Sequence, residues 1–551
     1  MSRVPSSAWL PLSLILAAAS LSRAAELRNR PELDLPLTDA RRVVAHYMTD
    51  MTFFKGHRVS DSVDPRHYRP DGPARALGGL TQHVPMAAHF LEGASLDESA
   101  AFEMRAAMRL GVDGFQFFYP CVLSDPFLER YGQIIRAFFR VADAQRLDFK
   151  LTLCLCSPEK GTQARKIAHW SKHIRSIVGA TRNSPHWLTT PDGRRVVFLW
   201  CPDGLTDRLA HHWLVHQHPE HVAHVAAAYE RLAQAAGIRA AYVYHLRWPK
   251  DRAHVEAVLD HFPAVWGWTD SFAPDDGWDH VAARCKARRR DYTQTVYPDY
   301  YTSKLYPRRK DAPMLHRLDE ALKLGLAGVE RHIQRCRLSC VFRKLLERAV
   351  RTDASMINLA TWNDYPEGHH LAPEINHNFG FARLLRYYRR AWRSPASPIE
   401  RETAIAFFKK YPHDVRPEPF DIACRVKRAA GDAADEDGIE VVTILREPAV
   451  VVVRGVPRRA PAGLAATTFP MRPGPVYVRV ERRGTPFIEF TCPEWITRQP
   501  YRTDRLTYCY SSDFPRLFRD LFGDRPPWVS DEYAETQAMP NWRKRYSGVP
   551  R

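Results

Sequence analysis

Met356-Ile357-Asn358-Leu359-Ala360-Thr361-Trp362-Asn363-Asp364-Tyr365-Pro366-Glu367-Gly368-His369-His370 is the stretch on which the reading of the fold turns. Its first five residues form an apolar run that reads as a buried β-strand. Two carboxylates, Asp364 and Glu367, then stand where that strand ends, among Trp, Asn, Tyr and His. In a β/α barrel the C-terminal ends of the strands carry the chemistry. Two carboxylates with aromatic and amide neighbours suit acid–base cleavage of a sugar acetal. An isolated D-x-x-E pair more often marks ordinary solvated loop acids; the flanking residues favour the first reading.

Working outward, short apolar runs alternate with longer amphipathic ones from residue 43 to 364. The strand-like runs are Val43–Met48, Phe115–Tyr119, Phe149–Leu155, Val196–Trp200, Ala240–Leu246, Ala264–Trp268, Thr295–Tyr300 and Met356–Trp362. Helical i, i+3, i+4 spacing runs through Glu98–Leu110, Pro126–Gln145, Gln163–Val178, His221–Ala236 and His254–His261. Eight strands with intervening helices predict a (β/α)8 TIM-like barrel over 25–395, closed by a helix at Asn378–Arg393. An open doubly wound sheet is the alternative. No G-x-G-x-x-G or Walker loop supports a nucleotide site. Residues 396–438 read as a connecting segment. After it, Ile439–Leu445, Val450–Gly455, Val476–Arg482 and Pro486–Cys492 are β-rich runs broken by Pro and Gly. They predict a small C-terminal β-sandwich with its tail over 439–551, including a hairpin at Arg483-Gly484-Thr485.

The 551 residues are 45% hydrophobic and 26% charged, a globular composition long enough for more than one domain. Arg3, the largely apolar run Trp9 to Ala19 and the small residues Ser22 and Ala24 read as a secretory signal over residues 1–24. The expected location is therefore secreted or periplasmic. No other stretch approaches a membrane span. The net charge of +18 would invite a nucleic-acid reading in an intracellular protein. For an exported one it reads as attraction to acidic polymers, or as arginine usage spread over many surfaces, and no nucleic-acid partner is expected. Ten cysteines are too few for a disulfide scaffold in a chain this long, although Cys492 and Cys509 are candidates for one bridge between β elements. The composition leaves the oligomeric state open.

Thr361-Trp362-Asn363-Asp364-Tyr365, followed by Glu367 and His369, resembles the T-W-N-D-Y-G-E-S-H signature of glycoside hydrolase family 71, the α-1,3-glucanases or mutanases. Further pieces are similar in the same order. They are Val43 to Met48, Leu110 to Phe115, the aromatic run Trp266-Gly267-Trp268-Thr269-Asp270, and Val296-Tyr297-Pro298-Asp299-Tyr300-Tyr301. There are departures: Pro366 and Gly368 replace the Gly and Ser of the signature, and Leu151 to Cys156 lacks the acid that the family carries on its third strand. Proline fixes φ between the two acids. The missing acid points to a lost subsite contact.

The resemblance implies inverting glycoside hydrolysis of an α-glucan by Asp364 and Glu367, with Glu367 as general acid and Asp364 as general base. It implies no cofactor and no metal; His369 and His370 with Glu367 also lack the H-E-x-x-H spacing of a zinc site. It further implies substrate contacts from His46, Asp270, Asp299, Tyr300, Trp362, Asn363, Tyr365 and His369. Each has a plainer reading. His46 reads equally as a packed core histidine, and Asp270 as the cap of the next helix. Tyr297, Asp299, Tyr300 and Tyr301 form either a sugar-stacking wall or ordinary strand packing. Two other functions fit the same residues: an endo-α-mannosidase-like hydrolase, and a polysaccharide-binding barrel without activity.

Overall fold

In the computed structural model the run Met356–Leu359 is a parallel strand bonded on one side to the first strand of the chain and on the other to the seventh. The structure describes residues 31–57, 59, 85–87, 91, 93–120, 122–156, 161–207, 217–269, 276–302, 306–307, 315, 323–326, 328–334, 336–396, 398–415, 423–428, 436–499 and 505–524. The segment read as a signal lies outside them.

Eight strands close the barrel: β1 (Arg42–Tyr47), β2 (Gly114–Pro120), β3 (Lys150–Cys156), β4 (Arg195–Trp200), β5 (Ala240–His245), β6 (Ala264–Trp266), β7 (Asp291–Val296) and β8 (Met356–Leu359). Their order, β1-β8-β7-β6-β5-β4-β3-β2, runs round the ring in sequence, and every pair is parallel. Parallel neighbours need a crossover, and each is a helix. These are α1 (Leu96–Leu110), α2 (Asp125–Gln145), α3 (Gln163–Ala180), α4 (His221–Ala236), α5 (Arg252–His261), α6 (Trp278–Ala287) and α7 (Cys340–Arg351), with α8 (Gly380–Arg393) after the last strand. The start of α1 is set by a capping box in which Ser95 and Glu98 bond each other's backbone N–H, and its end by Gly111 in the left-handed conformation. No helix among the described residues is long and apolar enough to cross a membrane.

One strand differs from its expected position. The run Thr295–Tyr300 was the seventh candidate, but β7 begins at Asp291. Its apolar signal is masked because Thr293 and Thr295 are buried hydroxyls that satisfy themselves locally: Thr293 donates to the Val265 carbonyl at 2.7 Å, and Thr295 to that of Gly267 at 2.8 Å. Asn358 of β8 in turn donates to Thr293 at 2.5 Å. Buried polar groups paired in this way are compatible with a core, and they sit beside an apolar cluster that includes Val44, Cys154, Phe198, Val243, Trp266 and Met356.

The stretch 396–438, expected as a connector, contains β9 (Thr403–Lys409), fully buried and central to a sheet. This strand is a short apolar run, Ala404 to Phe408, between polar ends that are buried only in the folded chain. Three further strands, Tyr306–Pro307, Gly328–Ile333 and Ala423–Arg428, form a small sheet of their own; the strands that join β9 are β10 (Gly438–Leu445), β11 (Ala449–Val453), β12 (Val456–Ala460), β13 (Gly463–Pro470), β14 (Gly474–Arg482), β15 (Thr485–Ile496) and β16 (Thr507–Ser511). They make two antiparallel four-stranded sheets, β13-β10-β9-β16 and β12-β11-β14-β15. Phe408 and Val441 from one sheet share a core with Val451, Val478 and Val480 from the other. This is the expected β-sandwich, with one strand more than its expected start allowed.

The sandwich is bonded to the barrel through α7 and α8. Arg343 pairs with Glu440 at 2.7 Å, and Arg383 with Asp513 at 3.0 Å. Cys509 donates its N–H to the Asn376 carbonyl at 2.8 Å. Cys509 and Cys492 are both buried free thiols, so the candidate bridge is not formed. Gly380, the first residue of α8, lies against Cys509, and a Cβ there would overlap the Cys509 sulfur and come within 3.1 Å of Ile405. Gly380→Ala is therefore expected to destabilise the protein by about 3 kcal/mol through overpacking, measurable by denaturant unfolding against the wild type.

Candidate active site

Strand β8 delivers its loop to the mouth of the barrel, and backbone bonds then cinch the loop shut. Thr361 N–H donates to the His369 carbonyl at 2.7 Å, and Leu371 N–H returns to the Thr361 carbonyl at 3.1 Å. Trp362 N–H donates to the His46 carbonyl of β1 at 2.7 Å. Inside this closed loop, Tyr365–Glu367 is a single 3-10 turn with Pro366 in its first turn, ended by Gly368 at φ 73°. Three residues per turn brings positions i and i+3 onto one side. That period aligns Asp364 with Glu367, and Pro366 suits the turn because a first-turn residue needs no donor N–H.

His369 stands between the two acids. Its Nε2 is 3.1 Å from Glu367 Oε2 and 3.6 Å from Asp364 Oδ2. One oxygen of each acid and a His369 ring nitrogen lie within 4.8 Å of one another. The Asp364 and Glu367 side chains are only 9% and 14% exposed, and His369 is fully enclosed. The Tyr300 ring stacks on His369 at 5.6 Å with an interplanar angle of 5°, and Trp268 meets it edge-on at 5.6 Å. Burial, and then the Glu367 carboxylate, push the Tyr300 hydroxyl well above its ordinary pKa, so it remains a proton donor. His46 lies deeper, ringed by Trp268 at 4.9 Å, Phe118 at 5.8 Å and Trp266 at 6.3 Å. Burial, with His369 nearby, lowers its pKa to about 3, so His46 is a neutral imidazole.

The other expected contacts are placed differently. The Trp362 indole is fully buried against Phe115 at 5.6 Å, and its N–H donates to Glu103 Oε2 of α1 at 2.6 Å. The Asn363 side chain accepts from Met48 N–H at 2.7 Å and donates to the Met48 carbonyl at 3.1 Å, closing the end of β1. Tyr365 packs on His370 at 4.6 Å, away from the acids. These three residues hold the loop and present no surface to a ligand in this structure. Asp299 is also enclosed. It faces His377 at 3.6 Å and Lys409 of β9 at 4.0 Å. Burial would raise its carboxyl, but Lys409 and His377 outweigh that and hold it well below the usual range. Lys409 continues to Glu436 at 3.7 Å, and Glu436 to Arg505 at 3.4 Å, so this aspartate anchors the barrel to the sandwich. No tyrosine wall forms: Tyr297 lies in the barrel core and Tyr301 in the sandwich core, leaving Tyr300 alone beside the acids. Asp270 lies outside the described residues.

Two residues escaped the sequence reading. Trp268 meets His369 edge-on, a second aromatic contact beside that of Tyr300. Glu103 supports the loop from behind, and its signal was present: an acid on the buried stripe of α1, between Ala100 and Ala107. Burial raises the Glu103 carboxyl to about 7, opposed by the Trp362 N–H. In the unfolded chain the same group ionises near 4.5, so the unfolded state gives up its proton first and stability falls as pH rises from there to about 7. Glu103→Gln removes this titration. Between about pH 4 and pH 8 the wild type is expected to lose roughly 3 kcal/mol relative to the variant, read from denaturant midpoints across that range.

With this geometry in place, the chain can be set beside known proteins. No curated protein matches it. Among solved structures, the GH99 endo-α-mannosidase of Bacteroides thetaiotaomicron is 13% identical with a TM-score of 0.43, covering 64% of this chain and 97% of that one. The same enzyme with bis-tris-propane gives a TM-score of 0.42 at 13% identity and the same coverage. A Cellulomonas fimi endo-β-1,4-mannanase double mutant is 10% identical with a TM-score of 0.34, covering 82% of this chain and 99% of that one. Likeness at this level carries no functional inference. The family model of glycosyl hydrolase family 71 matches residues 340–503, the part of the chain that holds helix α7, strand β8, the loop with both acids and most of the β-sandwich.

Proposed function

We propose that this protein is an exported glycosidase that cleaves α-1,3-glucan, or a closely related α-glycan, by inversion. The observation that carries the reading is the pair Asp364 and Glu367, aligned by one 3-10 turn at the barrel mouth within the segment that the family 71 model matches. Glu367 acts as general acid on the leaving oxygen, and Asp364 as general base on water. His369 hydrogen-bonds Glu367 at 3.1 Å and lies 3.6 Å from Asp364, so one imidazole stands between the two acids. Tyr300 and Trp268, both in ring contact with His369, are the aromatic groups proposed to bind the sugar.

An inverting pair leaves about 6.5–9.5 Å between carboxyl groups for the attacking water. Here oxygens of the two acids lie within 4.8 Å of each other, drawn together by His369. In the proposed cycle Glu367 leaves His369 as the sugar enters and turns to the glycosidic oxygen, which opens space for water beside Asp364. Catalytic hydrogen bonds commonly reach their working geometry only in the substrate complex. The enclosure of Asp364 and Glu367 supports opposite protonation states at one pH, because two nearby buried carboxylates resist double ionisation.

The direct test is a panel of α-glucans, β-glucans and α-mannan incubated with the purified chain, with product anomers followed by NMR. Reducing ends are expected from α-1,3-glucan, with the β-anomer appearing first. An α-anomer first indicates that the close pair works by retention, and activity confined to α-mannan replaces the substrate assignment with the mannosidase reading. Asp364→Asn and Glu367→Gln are each expected to lower kcat by about 10³-fold, the size of a general acid–base contribution, with thermal midpoints near wild type. If both variants bind polymer and neither differs from wild type in rate, the protein is a binding barrel.

A further inference from the structure

Behind the acid pair, the chain returning to α8 gathers a second set of ligating side chains. His370, Glu374 and His377 follow the spacing H-x3-E-x2-H, and all three are buried. One ring nitrogen of each histidine and a carboxylate oxygen lie within 4.8 Å of one another. Glu374 Oε1 is 3.3 Å from His377 Nδ1 and 3.9 Å from His370 Nε2. A tetrahedral ion bound at about 2.0–2.1 Å sets neighbouring ligand atoms roughly 3.3–3.5 Å apart. One edge of the set already has that spacing, a second exceeds it by a few tenths of an ångström, and the third, between the two histidines, lies within 4.8 Å.

The groups behind the ligands fit the same reading. His377 turns its far nitrogen, Nε2, toward Asp299 Oδ2 at 3.6 Å. A carboxylate behind a histidine fixes the proton on that far nitrogen and leaves the near one as a lone pair. Here the near nitrogen faces a carboxylate oxygen, a repulsive arrangement unless a positive charge stands between them. Glu374 is aimed by the backbone: Oε2 accepts from Asn376 N–H at 2.7 Å and Oε1 from His377 N–H. This set is distinct from Asp364, Glu367 and His369, which form a separate group.

We propose that His370, Glu374 and His377 bind one divalent transition-metal ion, zinc by the chemistry of two imidazoles and one carboxylate. Three protein ligands leave the fourth position of a tetrahedral ion to water, and the burial of all three gives the ion a role in holding the fold. The site pins the return of the loop next to His369, and its enclosure implies that the ion enters as the chain folds. It stands whether or not the acid pair cleaves a glycan.

The test is elemental analysis of the full-length chain, purified without chelators or a metal-affinity step. About one zinc per chain is expected, with His377→Asn and His370→Asn each losing it and Asp364→Asn keeping it. Refolding with cobalt(II) in place of zinc should give the visible absorption of a tetrahedral cobalt site. Wild-type protein that carries less than about a tenth of an ion per chain and gives no cobalt spectrum overturns the proposal. The positive charge in the cluster is then a proton shared by the two histidines. Both readings of the wild type stand even if a histidine variant fails to fold.

Discussion

The bond from Trp362 N–H to the His46 carbonyl is the constraint on which the acid loop depends. It joins the residue just beyond the last barrel strand to the end of the first, so ring closure and placement of the acids are one event. The Asn363 side chain repeats the closure by taking both backbone groups of Met48. From the far side, Glu103 receives the Trp362 indole N–H at 2.6 Å. With both shoulders of the loop fixed to other elements, the short turn between them has little freedom. The positions of Asp364 and Glu367 are then set by the geometry of a 3-10 turn.

A second constraint links that loop to the sandwich. From His377, contacts run through Asp299, Lys409 and Glu436 to Arg505, all buried, from the barrel mouth to the strands β9 and β16 or their flanks. Removing one partner of a buried pair leaves an uncompensated charge, which costs far more than the pair is worth by its presence. The sandwich therefore does more than cover a face of the barrel. Its lysine holds Asp299, and Asp299 holds the segment that carries Tyr300 against His369.

Much of the architecture was legible because barrel strands are local objects. Seven of the eight lay where short apolar runs predicted them, within a few residues. The seventh was displaced because Thr293 and Thr295 are buried with their hydroxyls bonded to neighbouring strands, which hydrophobicity does not register. Strand β9 was missed for a related reason: Thr403-Ala404-Ile405-Ala406-Phe407-Phe408-Lys409 begins and ends on polar residues that become buried only by pairing across the domain boundary.

The sequence by itself determined that a strand begins at Met356 and that two acids follow it three positions apart, because apolar runs and turn residues act over a few positions. It did not determine what the flanking residues do. Trp362, Asn363, Tyr365 and Asp299 look like sugar contacts beside a signature, yet the tertiary structure makes them the loop's fastenings. The partners of Trp362 and Asn363 lie far along the chain, with Glu103 259 residues from Trp362 and Met48 315 from Asn363. Only closure of the barrel and docking of the sandwich bring such groups together, and burial then decides which polar side chain meets solvent and which is spent on holding the fold.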